Sequence, residues 1–271
     1  MPNNHIIKTN AKTSLQNKWA QAIGVGAILL SVFCLYIILL QLVNMPISAI
    51  FNEYTSLFIS IAIVVVSVQL FAMPLLYGAL RWFWFTSADA NVPINEIFCY
   101  FSSGKEYLRA FSLSFRIFVR STAILLVCFL PSLIIVAISS PDTYDMLNTS
   151  MPYWASSVWA LGNTLTFLGI IISFILLLRY FAAPILMIND PSITPNEALD
   201  LSVIITKNAN GRTLSFVLSF FGWFLLSMLY IPLIFTLPYF LIAYAVYCRF
   251  LINHYNRRVA DAFKNPFNGR I

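Results

Sequence analysis

The side chains best suited to chemistry inside an apolar environment are Gln69, Asn163, Thr164 and Thr166, which interrupt long uncharged stretches of the chain. A polar group at membrane depth marks either a substrate path or a hydrogen bond between helices. No aspartate, glutamate or lysine lies deep in any of these stretches. Interhelical hydrogen bonding, worth about 0.6 to 2 kcal/mol per contact, is therefore the preferred reading. A path lined by Gln69 and Asn163 is the alternative. Arg116 and Arg120, four apart, share a face at the start of another apolar stretch. They could bind lipid phosphate, but such residues more often run their stems along apolar surface and leave the guanidinium among head groups. His5 and His254 lie in polar flanks with no carboxylate or cysteine at ligand spacing. Cys34, Cys99, Cys128 and Cys248 form no C-x-x-C pair and read as small apolar residues. The chain has no nucleophile elbow, zinc-protease helix, phosphate loop or dinucleotide fingerprint. These residues point away from an enzyme and imply neither a metal nor a cofactor.

The elements that must position these residues are membrane spans. Of 271 residues, 60% are hydrophobic and 10% charged, against roughly a quarter charged in soluble domains. A helix needs about 20 apolar residues to cross the ~30 Å hydrocarbon core. Candidate spans run over about 19–43, 56–80, 114–138 and 156–178. The first exceeds a signal-peptide core and no small-x-small cleavage pattern follows it, so it is expected to remain as a span. A final apolar run, 213–253, is about twice the membrane thickness as one helix and is expected to divide near Pro232 into two short spans. The expected fold is all-α: a six-helix transmembrane bundle, one polytopic domain over 1–271.

All 16 lysines and arginines fall in the N-terminal tail, after even-numbered spans, or in the C-terminal tail. The opposite connections carry only Glu53, Asp142 and Asp145. The positive-inside rule places both termini in the cytoplasm. It also explains the net charge of +6 without nucleic acid as a partner. Trp19, Trp82 and Trp84 fall near the inner boundary and Trp154 and Trp159 near the outer one, where aromatic belts sit. Asn148-Thr149-Ser150 matches a glycosylation triplet in an outside loop, a pattern common by chance. Ala20/Gly24 and Ala22/Gly26 are small-xxx-small pairs that allow close helix approach.

Shifting the chain by 101 residues brings Asp89 onto Asp190, Asn95-Glu96 onto Asn196-Glu197, Leu113-Ser114-Phe115 onto Leu214-Ser215-Phe216 and Pro131 onto Pro232. The repeat, about 89–138 against 190–239, pairs an amphipathic segment with a following span. A looser third copy opens the chain at Lys8 to Lys18. The plan is a cytoplasmic amphipathic helix plus a transmembrane hairpin, used three times. In the second full copy Thr194 is the N-cap, Pro195 the first helical residue and Glu197 the partner in a capping box. Leu201, Ile204 and Ile205 form its apolar face, expected to be buried against lipid or the inner ends of the spans with the helix nearly parallel to the membrane plane; Ile97, Phe98, Phe101 and Leu108 form the apolar face of its counterpart. Arg81-Trp82, Arg179-Tyr180 and Arg249-Phe250 close the even spans and read as interfacial anchors.

Residues 179–250 resemble the closing half of a bacterial integral-membrane family of unknown function, domain of unknown function 975. The resemblance is carried by Asp190-Pro191, Glu197-Ala198-Leu199, Phe220-Phe221-Gly222-Trp223 and Pro238-Tyr239. "SLQNKWAQAIGVGAILL" is more weakly similar, and the architecture is similar to that of another six-span inner-membrane family. The family's lysine-glycine pair is replaced here by Lys207-Asn208-Ala209-Asn210-Gly211. The resemblance implies fold and membrane location and supplies no activity. The expected function is that of a non-enzymatic accessory, scaffold or membrane-homeostasis protein of the bacterial cytoplasmic membrane. Its partners would be membrane lipids and other membrane proteins. A small-molecule or lipid transporter with a cavity between the hairpins is the alternative.

Overall fold

The computed structural model describes residues 3–146, 149–150, 152–207, 209–229 and 232–264, apart from the side chains of 48, 49, 53, 142 and 261–264. Asn148 of the glycosylation triplet and Arg270 lie outside the described residues. Helix α1 (Asn4–Leu15) leads to α2 (Trp19–Ile50) and α3 (Glu53–Ser67), which continues through a π-helical turn, Val68–Ala72, into α4 (Met73–Thr86). A 3₁₀ helix, Ile94–Phe101, precedes α5 (Gly104–Ser139), the short α6 (Pro141–Met146) and α7 (Tyr153–Leu177). A 3₁₀ turn, Leu178–Tyr180, joins α7 to α8 (Ala183–Asn189). The chain then forms α9 (Pro195–Lys207), α10 (Asn210–Leu218), α11 (Phe221–Ser227) and α12 (Leu233–Lys264). No strand occurs among the described residues.

Among the described residues, five stretches are long and apolar enough to cross a membrane: Trp19–Ile47, Tyr54–Thr86, Gly104–Ser139, Tyr153–Asn189 and Leu233–Ala260. The last apolar run does divide at Pro232, with α12 starting one residue later. Its first half divides again, at Ser219-Phe220, into helices of 9 and 7 residues. A carbonyl released by that second break, Ser219 O, accepts from Lys8 Nζ at 2.6 Å. The Lys8 ammonium also lies 4.5 Å from the Phe220 ring centroid, and burial lowers its pKa. Helix α1 thus supplies the donor that the broken helix lacks.

The buried core sits at one end of the long helices, the end that carries the lysines and arginines. It joins Ile7, Ala11 and Leu15 of α1, Ala22 and Val25 of α2, and Trp82 and Phe83 of α4 to Leu199 of α9 and the stretch Tyr239–Cys248 of α12. Helix α1 packs on α12, the 3₁₀ helix on α4, and α9 on α8. Beyond Val25, no described side chain of α2 is buried. The outer part of the molecule therefore presents apolar side chains outward, as expected where lipid is the solvent.

Helices α5 and α7 form the closest pair. The buried residues of α7 are Ala155, Gly162, Gly169 and Ser173, the first three spaced by seven. A Cβ at Gly162 would lie 2.8 Å from Val136 Cγ2, and one at Gly169 would lie 3.0 Å from Cys128 O. Small residues let these backbones meet, which replaces the hydrophobic drive that lipid removes. In α2, Ala22 is fully buried and a Cβ at Gly26 would lie 2.9 Å from Pro238 Cγ.

Candidate functional site

Gln69 lies in the π-helical turn, 7% exposed, and accepts a short hydrogen bond from the Ser114 hydroxyl of α5. Widening one turn of a helix displaces its carbonyls from their usual partners. Here Leu70 O accepts from Tyr107 Oη at 2.9 Å. One turn earlier, Ser67 Oγ lies 2.8 Å from Tyr36 Oη, which ties α3 to α2. Asn163 is elsewhere: its side chain is exposed and donates to Trp159 O of its own helix at 3.0 Å. Thr164 and Thr166 likewise bond back to Ala160 O and Gly162 O. The structure does not bring Gln69 and Asn163 together.

Arg116 and Arg120 meet α9. Arg116 donates to Asn196 Oδ1 at 2.6 Å and to Ser112 Oγ at 3.1 Å, and Arg120 pairs with Asp200 at 2.9 Å. Arg109, one helical face with them, donates to Asp190 O at 3.0 Å and Ile193 O at 2.9 Å. Sequence reasoning overlooked Arg109; its only signal was a place seven residues before Arg116. Because Arg116 and Arg120 both reach residues 80 positions on, α9 runs alongside the basic half of α5 in the same direction.

The start of α9 follows the local code. Helix begins at Pro195, Thr194 N donates to Glu197 Oε2 at 2.7 Å, and Glu197 N donates to Thr194 Oγ1 at 3.3 Å. Asp190 Oδ1 accepts from Ser192 N and Oγ at 2.9 and 2.6 Å, which hold its carboxyl below the usual range. Thr194→Ala is expected to cost ~1 kcal/mol, read as a lowered unfolding midpoint in detergent. An unchanged midpoint would mean the cap is redundant.

The buried face of α9 overlaps the expected one in part: Ile205 is buried and Leu201 packs against the core. Ala198, Leu199, Ser202, Ile205 and Thr206 point inward, whereas Ile204 is 53% exposed. Ser202 and Thr206 are drawn in because both donate to Arg179 O, at 2.7 and 3.1 Å, where α7 ends. In the 3₁₀ helix Ile97 and Tyr100 are buried and Phe98 and Phe101 exposed, and Leu108 of α5 is exposed as well. With three residues per turn, positions i and i+3 align. Burial pushes the Cys99 thiol up to about 11, so it is an inert thiol at neutral pH.

The three span-closing arginines have three different roles. Arg81 Nε lies 2.9 Å from Glu96 Oε1 of the 3₁₀ helix, and Trp82 Nε1 donates to Val92 O at 3.1 Å. Arg179 has an exposed side chain, as an anchor would. Arg249 stacks 4.2 Å from Trp84 and donates to Trp84 O and Ser87 Oγ at 2.9 and 3.0 Å, joining α12 to the end of α4. Of the family-like residues, Trp223 packs against Tyr239 at 5.8 Å and Pro238 against Gly26, while a Cβ at Gly222 would meet nothing within 4 Å. No group of three or more histidine, cysteine or carboxylate side chains that could hold a metal ion occurs among the described residues. A cavity of about 320 Å³ opens at the basic end, between α1, α10 and α12.

The described residues are all-helical, with five apolar helices long enough to cross a membrane, an architecture that suggests a membrane protein. The chain belongs to the family described as protein of unknown function (DUF975), whose model matches residues 1–254. No curated protein and no solved structure matches it.

Proposed function

We propose that this is a non-enzymatic protein of the bacterial cytoplasmic membrane, with both termini in the cytoplasm, that acts as a scaffold or in membrane homeostasis. The observation that carries this reading is how the in-span polar side chains are used. Gln69 is taken up by Ser114 in a helix–helix contact, and Asn163 bonds within its own helix, so neither is left to line a passage. The positive-inside distribution supports a cytoplasmic basic end, where the packed core and the docked helices α1 and α9 form a platform. Membrane lipids and other membrane proteins are its partners in this reading, and nucleic acid is not.

Four passages are carried by α2, α3–α4, α5 and α7–α8. In place of the fifth and sixth expected passages, we propose a re-entrant hairpin of α10, α11 and α12. Pro238 of α12 meets Gly26 of α2, and α12 begins only five residues further out. That is about 7.5 Å, while α2 continues from Gly26 to Ile50, about 36 Å. The hairpin tip then lies roughly 28 Å short of the far end of α2. Burial supports the same view: the most apolar stretch of α12 is 61% buried within the protein, that of α5 only 6%. An even number of passages is retained.

The threefold plan is supported by packing. The 3₁₀ helix sits on the returning helix before it, α4; α9 sits on α8; and α1 sits on α12. The copies have diverged, since Asp89 has φ 60° and Asp190 φ −128°, and only α9 has the capping box.

The transport alternative is favoured by one feature, the π-helical turn at Gln69, because such turns recur at functional sites. Reconstituted vesicles separate the two. The scaffold reading expects proton, sodium and small-solute flux equal to that of empty vesicles. Flux above that level that disappears in Gln69→Leu would establish transport instead.

A further inference from the structure

Helix α7 packs mainly on α5, through the side that carries Ala155, Gly162, Gly169 and Ser173, and much of its remaining surface is exposed. On that surface Ser156, Ala160, Asn163, Phe167, Ile170 and Phe174 recur at alternating steps of four and three residues, and all six are exposed. Such spacing keeps side chains on one seam of a helix, the kind of seam along which two helices wind together. Asn163 is the amide in that seam. From Trp159 to Arg179 the chain rises about 30 Å, the thickness of the hydrocarbon core, which puts Asn163 roughly 6 Å inside the outer boundary. Its Nδ2 donates to Trp159 O at 3.0 Å, and that bond uses one of its two hydrogens. The second N–H and Oδ1 have no hydrogen-bond partner among the described residues. In hydrocarbon no water replaces that partner, and so short a side chain does not reach the head groups.

We infer that the seam through Asn163 is an interface with a second copy of this chain, in which the two Asn163 carboxamides hydrogen-bond to each other. A carboxamide is its own complement, because its N–H donates to the carbonyl of an identical group. Copies inserted in one membrane share an orientation. A pair related by a two-fold axis along the membrane normal therefore sets Asn163 against Asn163 at equal depth. A different protein would need a polar group at that depth and angle; a second copy has one by construction. Ser156 and Ala160 are small enough to let the backbones approach on the outer side of Asn163, and Phe167, Ile170 and Phe174 supply packing on the inner side. A single asparagine in such a seam fixes the register and the number of helices that meet. This pairing rests on α7 crossing the membrane and is independent of the scaffold reading and of the third hairpin.

The test uses the full chain, with cysteines placed in a background without the four native ones. In native membranes oxidised with copper phenanthroline, Ala160→Cys and Phe167→Cys are expected to give disulfide-linked dimers. Leu161→Cys and Ile172→Cys, exposed on the opposite side of α7, are expected to give none. Energy transfer between labelled copies in liposomes, followed as the protein is diluted into lipid, measures association. Asn163→Leu is expected to weaken it about tenfold, through loss of two reciprocal hydrogen bonds, and Asn163→Gln to retain most of it. Wild-type protein that is monomeric at every dilution, undiminished association in Asn163→Leu, equal cross-linking from both sides of α7, or seam cysteines that link only to a different protein overturns the inference. Phe167→Cys is also exposed to a water-soluble maleimide on both sides of the membrane. Resistance is the expected result; rapid reaction would overturn the pairing by removing α7 from the hydrocarbon, a failure separate from loss of association.

Discussion

A cysteine placed at Leu229, in a background without the four native cysteines, is expected to stay unmodified when a membrane-impermeant maleimide is added outside spheroplasts. A cysteine at Asp145 should react to completion. The difference is all-or-none because it reports on which side of the hydrocarbon a residue lies. Leu229 stands in the turn between α11 and α12, exposed on the protein surface, beside Met228, which is also exposed. If α10, α11 and α12 form a re-entrant hairpin, that turn is immersed in acyl chains well short of the outer surface. Bimane attached there should also be quenched by lipids labelled midway along the chain. Irregular backbone at membrane depth is tolerated where protein or polar groups satisfy it, and Lys8 does this for Ser219 at the other break. Labelling of Leu229→Cys from outside at the rate of Asp145→Cys would restore two full passages.

Gly78→Val is expected to detach the 3₁₀ helix from α4 and to destabilise the protein by about 3 kcal/mol. A Cβ at Gly78 would overlap the carbonyl oxygen of Ile97 and lie 2.7 Å from its carbon. Both are backbone atoms, so no flexible side chain can swing aside. Separation would also expose Ile97 and Tyr100 and part Arg81 from Glu96. Gly222→Ala is the comparison, in open space, where a helical alanine is expected to be neutral or stabilising by up to ~1 kcal/mol. Denaturant unfolding in micelles measures both, and a wild-type midpoint for Gly78→Val would show that the 3₁₀ helix contributes little.

The parts legible in the sequence are local. The capping box was readable because Thr194 and Glu197 are three apart and the bonds close within one turn. The break at Pro232 was readable because proline acts on its own neighbours. Which residues face a neighbouring helix was legible only in part, as with Ile205 and Ile97. In water, apolar residues turn inward; in lipid they have no such drive, and small or polar residues gain more from the helix interface. Hence α7 buries Ala155, Gly162, Gly169 and Ser173 while Phe167 and Ile170 face outward; in α9, Ser202 and Thr206 turn inward because both donate to Arg179 O. Spacing of small residues by seven was the available signal, and it outperforms hydrophobicity here.

The sequence by itself determined that this is an all-helical membrane protein, because transfer free energy is summed along each segment without reference to its neighbours. Only the tertiary structure decided which polar groups meet. Gln69 and Ser114 are 45 residues apart, Arg116 and Asn196 are 80 apart, and Asn4 and Ser215 are 211 apart. Such pairings depend on the relative register of helices formed far apart in the chain, and no local pattern encodes that register. The same is true of the cleft at Arg212, whose walls come from α1, α10 and α12. It is true as well of the seating of Pro238 against Gly26, a contact between two helices that no count of apolar residues contains.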